Sequence, residues 1–236
     1  YVAELREQDE ITEEIDAPLF GNILHDAMDH LYAGFKNHEL TSDELKNISK
    51  EQINKSIDEA FKQNYFKSDT IDYTGKNIII REVIEKYVHQ IIKIDAQVAP
   101  FKILSLEDQY EIELPLENNG SDAKVKLGGK IDRVDQLGKH IRIIDYKTGK
   151  DKLDFKDVES LFTDVSGNRR SAVFQTFLYS KFYKDIHKPI LPIIPGVYSV
   201  RELFKEPYEY RITQSENRKK SFINDYGLVE SEYLEH

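Results

Sequence analysis

The chain has 236 residues, with 43 acidic and 33 basic side chains, a formal net charge of -10 and no cysteine. It is long enough to bury a core as one domain, and the missing thiols exclude disulfides, zinc-cysteine sites and iron-sulfur clusters, so that a bound metal must take oxygen or imidazole ligands. The negative charge disfavours a protein that coats nucleic acid, yet it suits an enzyme that acts on nucleic acid through cation-binding carboxylates.

Apolar residues recur every three or four positions in the N-terminal part of the chain, which indicates amphipathic helices. The predicted helices cover about 18–32, 42–66 and 77–98. Pro18 stands in the first turn of the first helix, where its missing amide hydrogen costs nothing, and the same helix carries His25. We find no basic leader and no apolar run of about 18 residues, so the sequence predicts no signal peptide, no contact with a membrane and a cytoplasmic location.

The hydrophobic period changes to two after this helical region. Three successive antiparallel strands are predicted over 101–114, 125–134 and 140–147. The first turn signal is Asn118 with Asn119 and Gly120, and Gly138 eases the second turn. The pattern therefore predicts a meander that closes with a short hairpin.

Helices return beyond the third strand, at 158–162 and 172–186. A further strand is expected at 196–200 and an edge strand at 208–212, before a weakly helical C-terminal segment. Helices gathered before and after a mostly antiparallel sheet predict a single α/β domain.

That domain is expected to cover 1–233, with a helical N-terminal region over about 17–98 and a core that contains the sheet over about 101–212. The last residues, 234–236, look like the start of an added histidine tag.

Two aspartates and a lysine stand at the ends of the hairpin strands. Because residues two apart share a face of a strand, Asp145 and Lys147 point the same way, and the hairpin brings Asp132 alongside them. The backbone carbonyl of Tyr146 would emerge beside the two carboxylates, and such oxygen ligands suit Mg²⁺ or Mn²⁺. A centre of this kind can cleave phosphodiesters, with the lysine orienting water or stabilising charge. The alternative is a surface ion pair.

Four sequence motifs stand in a fixed order: GNILHDAMDHLY, GGKIDRVD, IDYKTG and QTFLY. With them the chain resembles the RecB-like branch of the PD-(D/E)XK nuclease superfamily, over 1 to about 200. Its opening is similar to the nuclease region of AddB-type helicase-nucleases, which usually lies at the C-terminal end of a longer polypeptide. The resemblance implies a restriction-endonuclease-like core, a central mixed sheet flanked by helices, and an excised domain.

The resemblance also implies roles for individual residues. His25 matches a helix-borne metal ligand, although a lone helical histidine is more often a core or surface residue. Asp132 and Asp145 match the metal-binding acids, and Lys147 matches the catalytic lysine. Glu107 stands where relatives place a further acid near the metal. Glu111 and Glu113 share its strand face, however, and any of the three could be a solvated carboxylate.

Three more residues match motifs of the family. Gln175 and Tyr179 form its Q-x-x-x-Y element, which is implied to contact substrate phosphate or brace the site, while a packing role is as plausible from sequence alone. Arg133 fits a D-R pattern as a bracing or phosphate-facing residue, and an ion pair with Asp135 explains it equally well. Many relatives carry four cysteines around an iron-sulfur cluster, and this chain has none, so no cluster is expected.

The leading hypothesis is an Mg²⁺- or Mn²⁺-dependent DNA nuclease, with exonuclease favoured over endonuclease. It would act on single-stranded or unwound DNA ends beside helicase domains of the same polypeptide or complex. A second hypothesis is a catalytically silent nuclease fold that serves as a scaffold or DNA-binding module. The third is a free-standing exonuclease. The presence of His25, Asp132, Asp145 and Lys147 argues against a silent module.

Overall fold

The computed structural model describes residues 15–115, 124–163, 170–216 and 219–234. The turn predicted at Asn118 lies outside these residues. None of the described helices is long and apolar enough to cross a lipid bilayer.

Helices dominate the first part of the described chain. They are α1 (Ala17–Tyr32), α2 (Ser42–Lys46), α3 (Lys50–Phe61) and α4 (Lys76–Val98), with a 3₁₀ turn at Ala33–Phe35 and a π turn at Lys62–Phe66. The predicted first and third helices are confirmed. Asp16 caps α1 by accepting a hydrogen bond of 2.9 Å from the amide of Leu19, and a proline follows in the first turn.

The single helix predicted over 42–66 is wrong, because a new helix start lies inside it. The Ser49 side chain accepts a hydrogen bond of 3.2 Å from the amide of Gln52, and the Gln52 side chain accepts one of 2.9 Å from the amide of Ser49. This reciprocal capping box satisfies two amides that a continuous helix would have bonded internally. The chain therefore breaks between α2 and α3.

Strands form two sheets. The strands are β1 (Glu39–Leu40), β2 (Phe101–Pro115), β3 (Lys124–Leu137), β4 (His140–Lys147), β5 (Asp154–Phe155), β6 (Ile193–Ser199), β7 (Thr213–Glu216) and β8 (Lys219–Phe222). The larger sheet has the order β1-β2-β3-β4-β6, and β1 to β4 pair antiparallel while β6 pairs parallel to β4. The expected mixed, mostly antiparallel sheet is confirmed, as is the turn at Gly138, whose φ is +56°.

Two predictions for the C-terminal part are wrong. The segment 208–212 is not an edge strand, since only Arg211 bridges to Gly196, and the small sheet is built instead from β5, β7 and β8. The rings of Tyr208 and Tyr210 each pack 5.8 Å from that of Tyr198, so ring packing rather than a strand ladder holds this segment.

The weakly helical segment predicted after 216 is mostly not helical. It contains β8, a 3₁₀ turn at Tyr226–Leu228 and only a short helix, α7 (Glu230–Leu234). Two further helices lie before it, α5 (Glu159–Thr163) and α6 (Ser171–His187), close to their predicted bounds.

The larger sheet is covered on both faces. One core joins the N-terminal helices to side chains such as Ile144 and Tyr146 of β4, and a second core joins α6 and the C-terminal turn to Ile141 and Ile143 of the same strand. Because alternate residues of β4 enter opposite cores, the strand interior is buried throughout. The end of the hairpin is thereby held between two helical layers.

Candidate active site

Four elements bring acidic and basic side chains to the end of the hairpin. Helix α1 contributes His25, β2 contributes Glu107, β3 contributes Asp132, and β4 contributes Asp145 and Lys147. Both aspartates are almost completely buried, with 6% and 1% of their surface exposed. Buried carboxylates need partners that carry positive charge.

Three of these side chains form one group. Nδ1 of His25 lies 3.3 Å from Oδ2 of Asp132 and 4.0 Å from Oε1 of Glu107. One ligand atom from each residue lies within 4.8 Å of the other two. One imidazole and two carboxylates at such separations can hold a divalent cation.

Tyr146 touches this group through its backbone. Its amide donates a hydrogen bond of 2.8 Å to Oδ2 of Asp132, and its carbonyl oxygen lies 2.7 Å from Nε2 of His25. When the imidazole is neutral and Nε2 donates to this carbonyl, Nδ1 keeps its lone pair for the side that the carboxylates line. The Tyr146 carbonyl, which was predicted as a metal ligand, therefore contacts the imidazole of His25, another predicted ligand.

Glu107 reaches the group through an unusual backbone conformation. Its φ is +51°, in the left-handed region that residues other than glycine seldom adopt. The ladder pairs Leu106 with Arg133 and Asp108 with Ile131, so this glutamate lies opposite Asp132 where the pairing is interrupted. The interruption distinguishes it from the two other candidates of its strand, which form exposed ion pairs with lysines, namely Glu111 and Glu113.

Asp145 lies beside the group and contacts the lysine. Nζ of Lys147 donates a hydrogen bond of 3.1 Å to Oδ1 of Asp145 and one of 2.8 Å to Oε1 of Gln175. The amide nitrogen of Gln175 in turn donates to the hydroxyl of Tyr179 at 2.5 Å. The predicted lysine and the predicted Q-x-x-x-Y element are thus joined in one chain of hydrogen bonds.

The titration of the site indicates an excess of negative charge. Burial lowers the pKa of His25, but the hydrogen bond and charge of Asp132, with the charges of Asp145 and Glu107, outweigh burial and raise that pKa to about 9. Burial, followed by the charge of Asp132, raises the pKa of Asp145 to about 7. Oδ2 of Asp145 is buried without a hydrogen bond among the described residues, although Nζ of Lys147 lies 3.0 Å away. This set of donors and charges fits a divalent cation.

The phosphate-facing role considered for Arg133 is wrong. The side chain is completely buried, and its two terminal nitrogens bind the carboxylate of Asp95 at 2.7 and 3.0 Å. The alternative ion pair is present, because Nε lies 3.0 Å from Oδ2 of Asp135. A guanidinium enclosed in this way braces the fold and cannot reach a substrate.

The sequence did not reveal Asp95 or Lys130 as parts of this region. Asp95 is a fully buried carboxylate on the apolar face of α4, next to Ile94. An acidic residue within an apolar stripe is the sequence signal that could have identified Asp95 as buried. Lys130 is half-exposed and its ammonium contacts Oε2 of Glu107.

Known proteins resemble the chain over much of its length. A model of the PD-(D/E)XK nuclease superfamily matches residues 1–218. An ATP-dependent helicase/deoxyribonuclease subunit of Exiguobacterium sibiricum is 28% identical over 161 residues, which cover 61% of this chain and 14% of that protein. The proteins of the same name from Clostridium tetani and Clostridium perfringens are 28% and 30% identical over 166 residues each, covering 61% and 64% of this chain. The match spans 14% of each clostridial relative as well.

Proposed function

Because the chain belongs to the PD-(D/E)XK nuclease superfamily, we propose that it hydrolyses phosphodiester bonds of DNA with the help of a divalent cation. The observation that carries the proposal is the convergence of His25, Glu107 and Asp132, with Asp145 and Lys147 alongside. A surface ion pair does not explain it, since the carboxylates of both aspartates are buried.

The cation would be held by Nδ1 of His25 and by carboxylate oxygens of Glu107 and Asp132. Asp145 is the further ligand that we propose, whereas the carbonyl of Tyr146, which was predicted as a ligand, accepts from Nε2 of His25 and so lies on the opposite side of the imidazole from an ion on Nδ1. Oxygen ligands outnumber nitrogen in this set, which favours Mg²⁺ or Mn²⁺. When bound, such an ion polarises the phosphate and lowers the pKa of water.

Lys147 has the contacts of a group that stabilises charge on the substrate. Its side chain is 22% exposed and its ammonium is oriented by hydrogen bonds to Asp145 and Gln175. A third hydrogen-bonding position of the ammonium can serve a phosphate oxygen or the attacking water. We assign Gln175 and Tyr179 to holding this lysine and to contacting the substrate phosphate, because both lie on the same chain of hydrogen bonds.

The substrate and partners follow from the relatives, which are named as helicase/deoxyribonuclease subunits. We propose that the chain digests single-stranded or unwound DNA ends as an exonuclease. In this role, it would act beside helicase domains of the same polypeptide or complex. A free-standing exonuclease would keep the same chemistry, whereas a silent scaffold has no need of the oriented lysine and the buried acids together.

The proposal is tested with end-labelled linear single-stranded DNA and with a circular single strand of the same length. Cleavage of the linear strand is expected with Mn²⁺ and is expected to stop with EDTA and in Asp132→Asn. Asp58→Asn, which removes a carboxylate that binds Arg81 in the helical region, serves as the matched control and should cleave normally. An intact circle would identify an exonuclease. Cleavage that persists in EDTA or in Asp132→Asn would overturn the proposal.

A further inference from the structure

A buried cluster of polar and charged groups lies behind the proposed metal site. Its centre is Asp95 on α4, whose carboxylate accepts hydrogen bonds from the hydroxyl of Tyr32 at 2.6 Å and from that of Tyr198 at 2.8 Å. The same carboxylate binds both terminal nitrogens of Arg133. All four side chains are completely buried. The carboxylate thus ties together α1, α4, β3 and β6.

The cluster continues from Arg133 toward the site. Nη1 of Arg133, which already binds Asp95, also donates a hydrogen bond of 3.0 Å to the hydroxyl of Tyr146. The ring of Tyr146 is therefore fixed at its far end by a buried guanidinium. Its near end is the Cα of Tyr146, and the backbone amide and carbonyl on the two sides of this atom contact Asp132 and His25. One residue thereby connects the buried cluster to two proposed metal ligands.

The charges of the cluster balance. Arg142 binds Asp135 through two hydrogen bonds of 2.6 and 2.9 Å, and Asp135 lies beside Arg133, so that two guanidinium groups face two carboxylates. Buried ion pairs rarely stabilise a fold more than apolar residues of the same volume would. Stability alone therefore does not account for four buried charges directly behind the site.

We propose that the chain Asp95–Arg133–Tyr146 is a positioning device that orients the metal ligands before the cation binds. The anchored ring of Tyr146 lies edge-on to that of His25, with centroids 5.9 Å apart, and it limits the rotation of the two peptide units that meet at the Cα of Tyr146. The first of these units presents the Tyr146 amide to Asp132, and the second presents the Tyr146 carbonyl to His25. Without the anchor these two units can rotate more freely, and both ligands lose a partner that fixes their direction. This inference rests on the proposed function only in taking these residues as a metal site.

The device is tested with Tyr146→Phe, which removes one hydroxyl and leaves the backbone, the ring and the pair Asp95–Arg133 in place. Mn²⁺ affinity, measured by isothermal titration calorimetry, is expected to fall about 10- to 100-fold, as when partners of metal ligands are removed elsewhere. Amide exchange at position 146 is expected to accelerate. With DNA, kcat is expected to fall while KM stays unchanged.

The matched control is Tyr73→Phe. The hydroxyl of Tyr73 contacts another pair of an aspartate and an arginine: it donates to Asp58 at 2.8 Å, and the Asp58 carboxylate lies 3.1 Å from Nε of Arg81. The Tyr73→Phe variant should lose about as much thermal stability as Tyr146→Phe and should bind Mn²⁺ like the wild type. Arg133→Lys supplies a second variant, because lysine keeps the charge but cannot reach Asp95 and Tyr146 in the same fork geometry, and it should show the same loss of Mn²⁺ affinity.

The proposal is overturned if Tyr146→Phe, folded by circular dichroism at the assay temperature, binds Mn²⁺ as tightly as Tyr73→Phe does. It is also overturned if Arg133→Lys retains wild-type affinity. A wild-type chain that binds Mn²⁺ without cleaving DNA would contradict the nuclease proposal alone, because the calorimetric comparison does not depend on cleavage.

Discussion

Nδ1 of His25 lies 3.3 Å from Oδ2 of Asp132, and this contact joins the first helix to the strand that enters the hairpin. Glu107 of the neighbouring strand completes the group. The D-x-K element by itself provides one acid and one base that pair with each other. Helix α1 adds the imidazole of His25 to these carboxylates and places it against the backbone of Tyr146. The acid and the base of the D-x-K element therefore belong to a larger site.

We expect His25→Asn to lower the affinity for Mn²⁺ at least about 10-fold, because a direct ligand is removed while the two acids remain. Isothermal titration calorimetry measures this change. His89→Asn is the control, since His89 lies on α4 with its Nε2 3.9 Å from Glu85 and 52% of its side chain exposed. Equal affinities of the two variants would show that His25 is not a ligand.

Lys147→Gln is expected to reduce the rate of DNA cleavage about 10²- to 10⁴-fold, the usual contribution of one positioned polar group. Mn²⁺ binding should persist, because the ammonium donates hydrogen bonds and cannot ligate a cation. Single-turnover kinetics at saturating metal measure the rate. Lys181→Gln, which removes an ammonium bound to Asp185 at 2.8 Å, should leave it unchanged. A Lys147→Gln variant with normal kinetics would contradict the assigned role.

Binding of the cation should stabilise the fold. At a free concentration one hundred times Kd, a ligand that binds only the folded chain adds about 2.7 kcal/mol, which for a chain of this size raises Tm by about 5 to 10 °C. Differential scanning calorimetry with and without Mn²⁺ measures the shift. Asp132→Asn should lose most of it, and an equal shift in wild type and variant would place the bound ion elsewhere.

Asp95→Asn should destabilise the chain in a pH-dependent way. Burial acts to raise the pKa of Asp95, but the charge and hydrogen bonds of Arg133 outweigh burial and lower it below the ordinary 3.8. A depressed pKa contributes stability above the unfolded value, and this stability is lost as the pH falls through the folded value. The variant should be less stable by about 3 to 5 kcal/mol at neutral pH.

Urea unfolding of both proteins from pH 7 to pH 3 measures that difference. It should stay constant down to about pH 5 and shrink below the ordinary pKa of 3.8. A difference that grows as the pH falls has the opposite sign and would show that Asp95 is not held ionised by Arg133.

The periodicity of the sequence was sufficient to predict α1, α4, the three-stranded meander and α6. These elements bury one face or alternate between two, and such patterns are local. The break at Ser49 was missed because a capping box inside an amphipathic stretch does not disturb the apolar period. The edge strand at 208–212 was mispredicted because Tyr208 and Tyr210 pack against the ring of Tyr198 and do not line a strand ladder.

The proposed site was predictable in part. Motif order pointed to His25, Asp132, Asp145 and Lys147, all of which the structure brings to one region. The choice of Glu107 among the acids of β2 depends on a positive φ that no local pattern encodes. The burial of Arg133 depends on a partner from another helix, so the D-R pattern alone could not separate bracing from phosphate binding.

The proposed metal site is tested most directly when Mn²⁺ binding and DNA cleavage are followed in the same samples. Bound Mn²⁺ is quantified by electron paramagnetic resonance while the release of labelled nucleotide is measured across a titration. If His25 and Asp132 hold the cation that supports cleavage, both rise along one binding curve in the wild type and neither rises over that range in a variant carrying His25→Asn and Asp132→Asn together. Cleavage that precedes Mn²⁺ binding, or that survives in the double variant, would contradict this assignment.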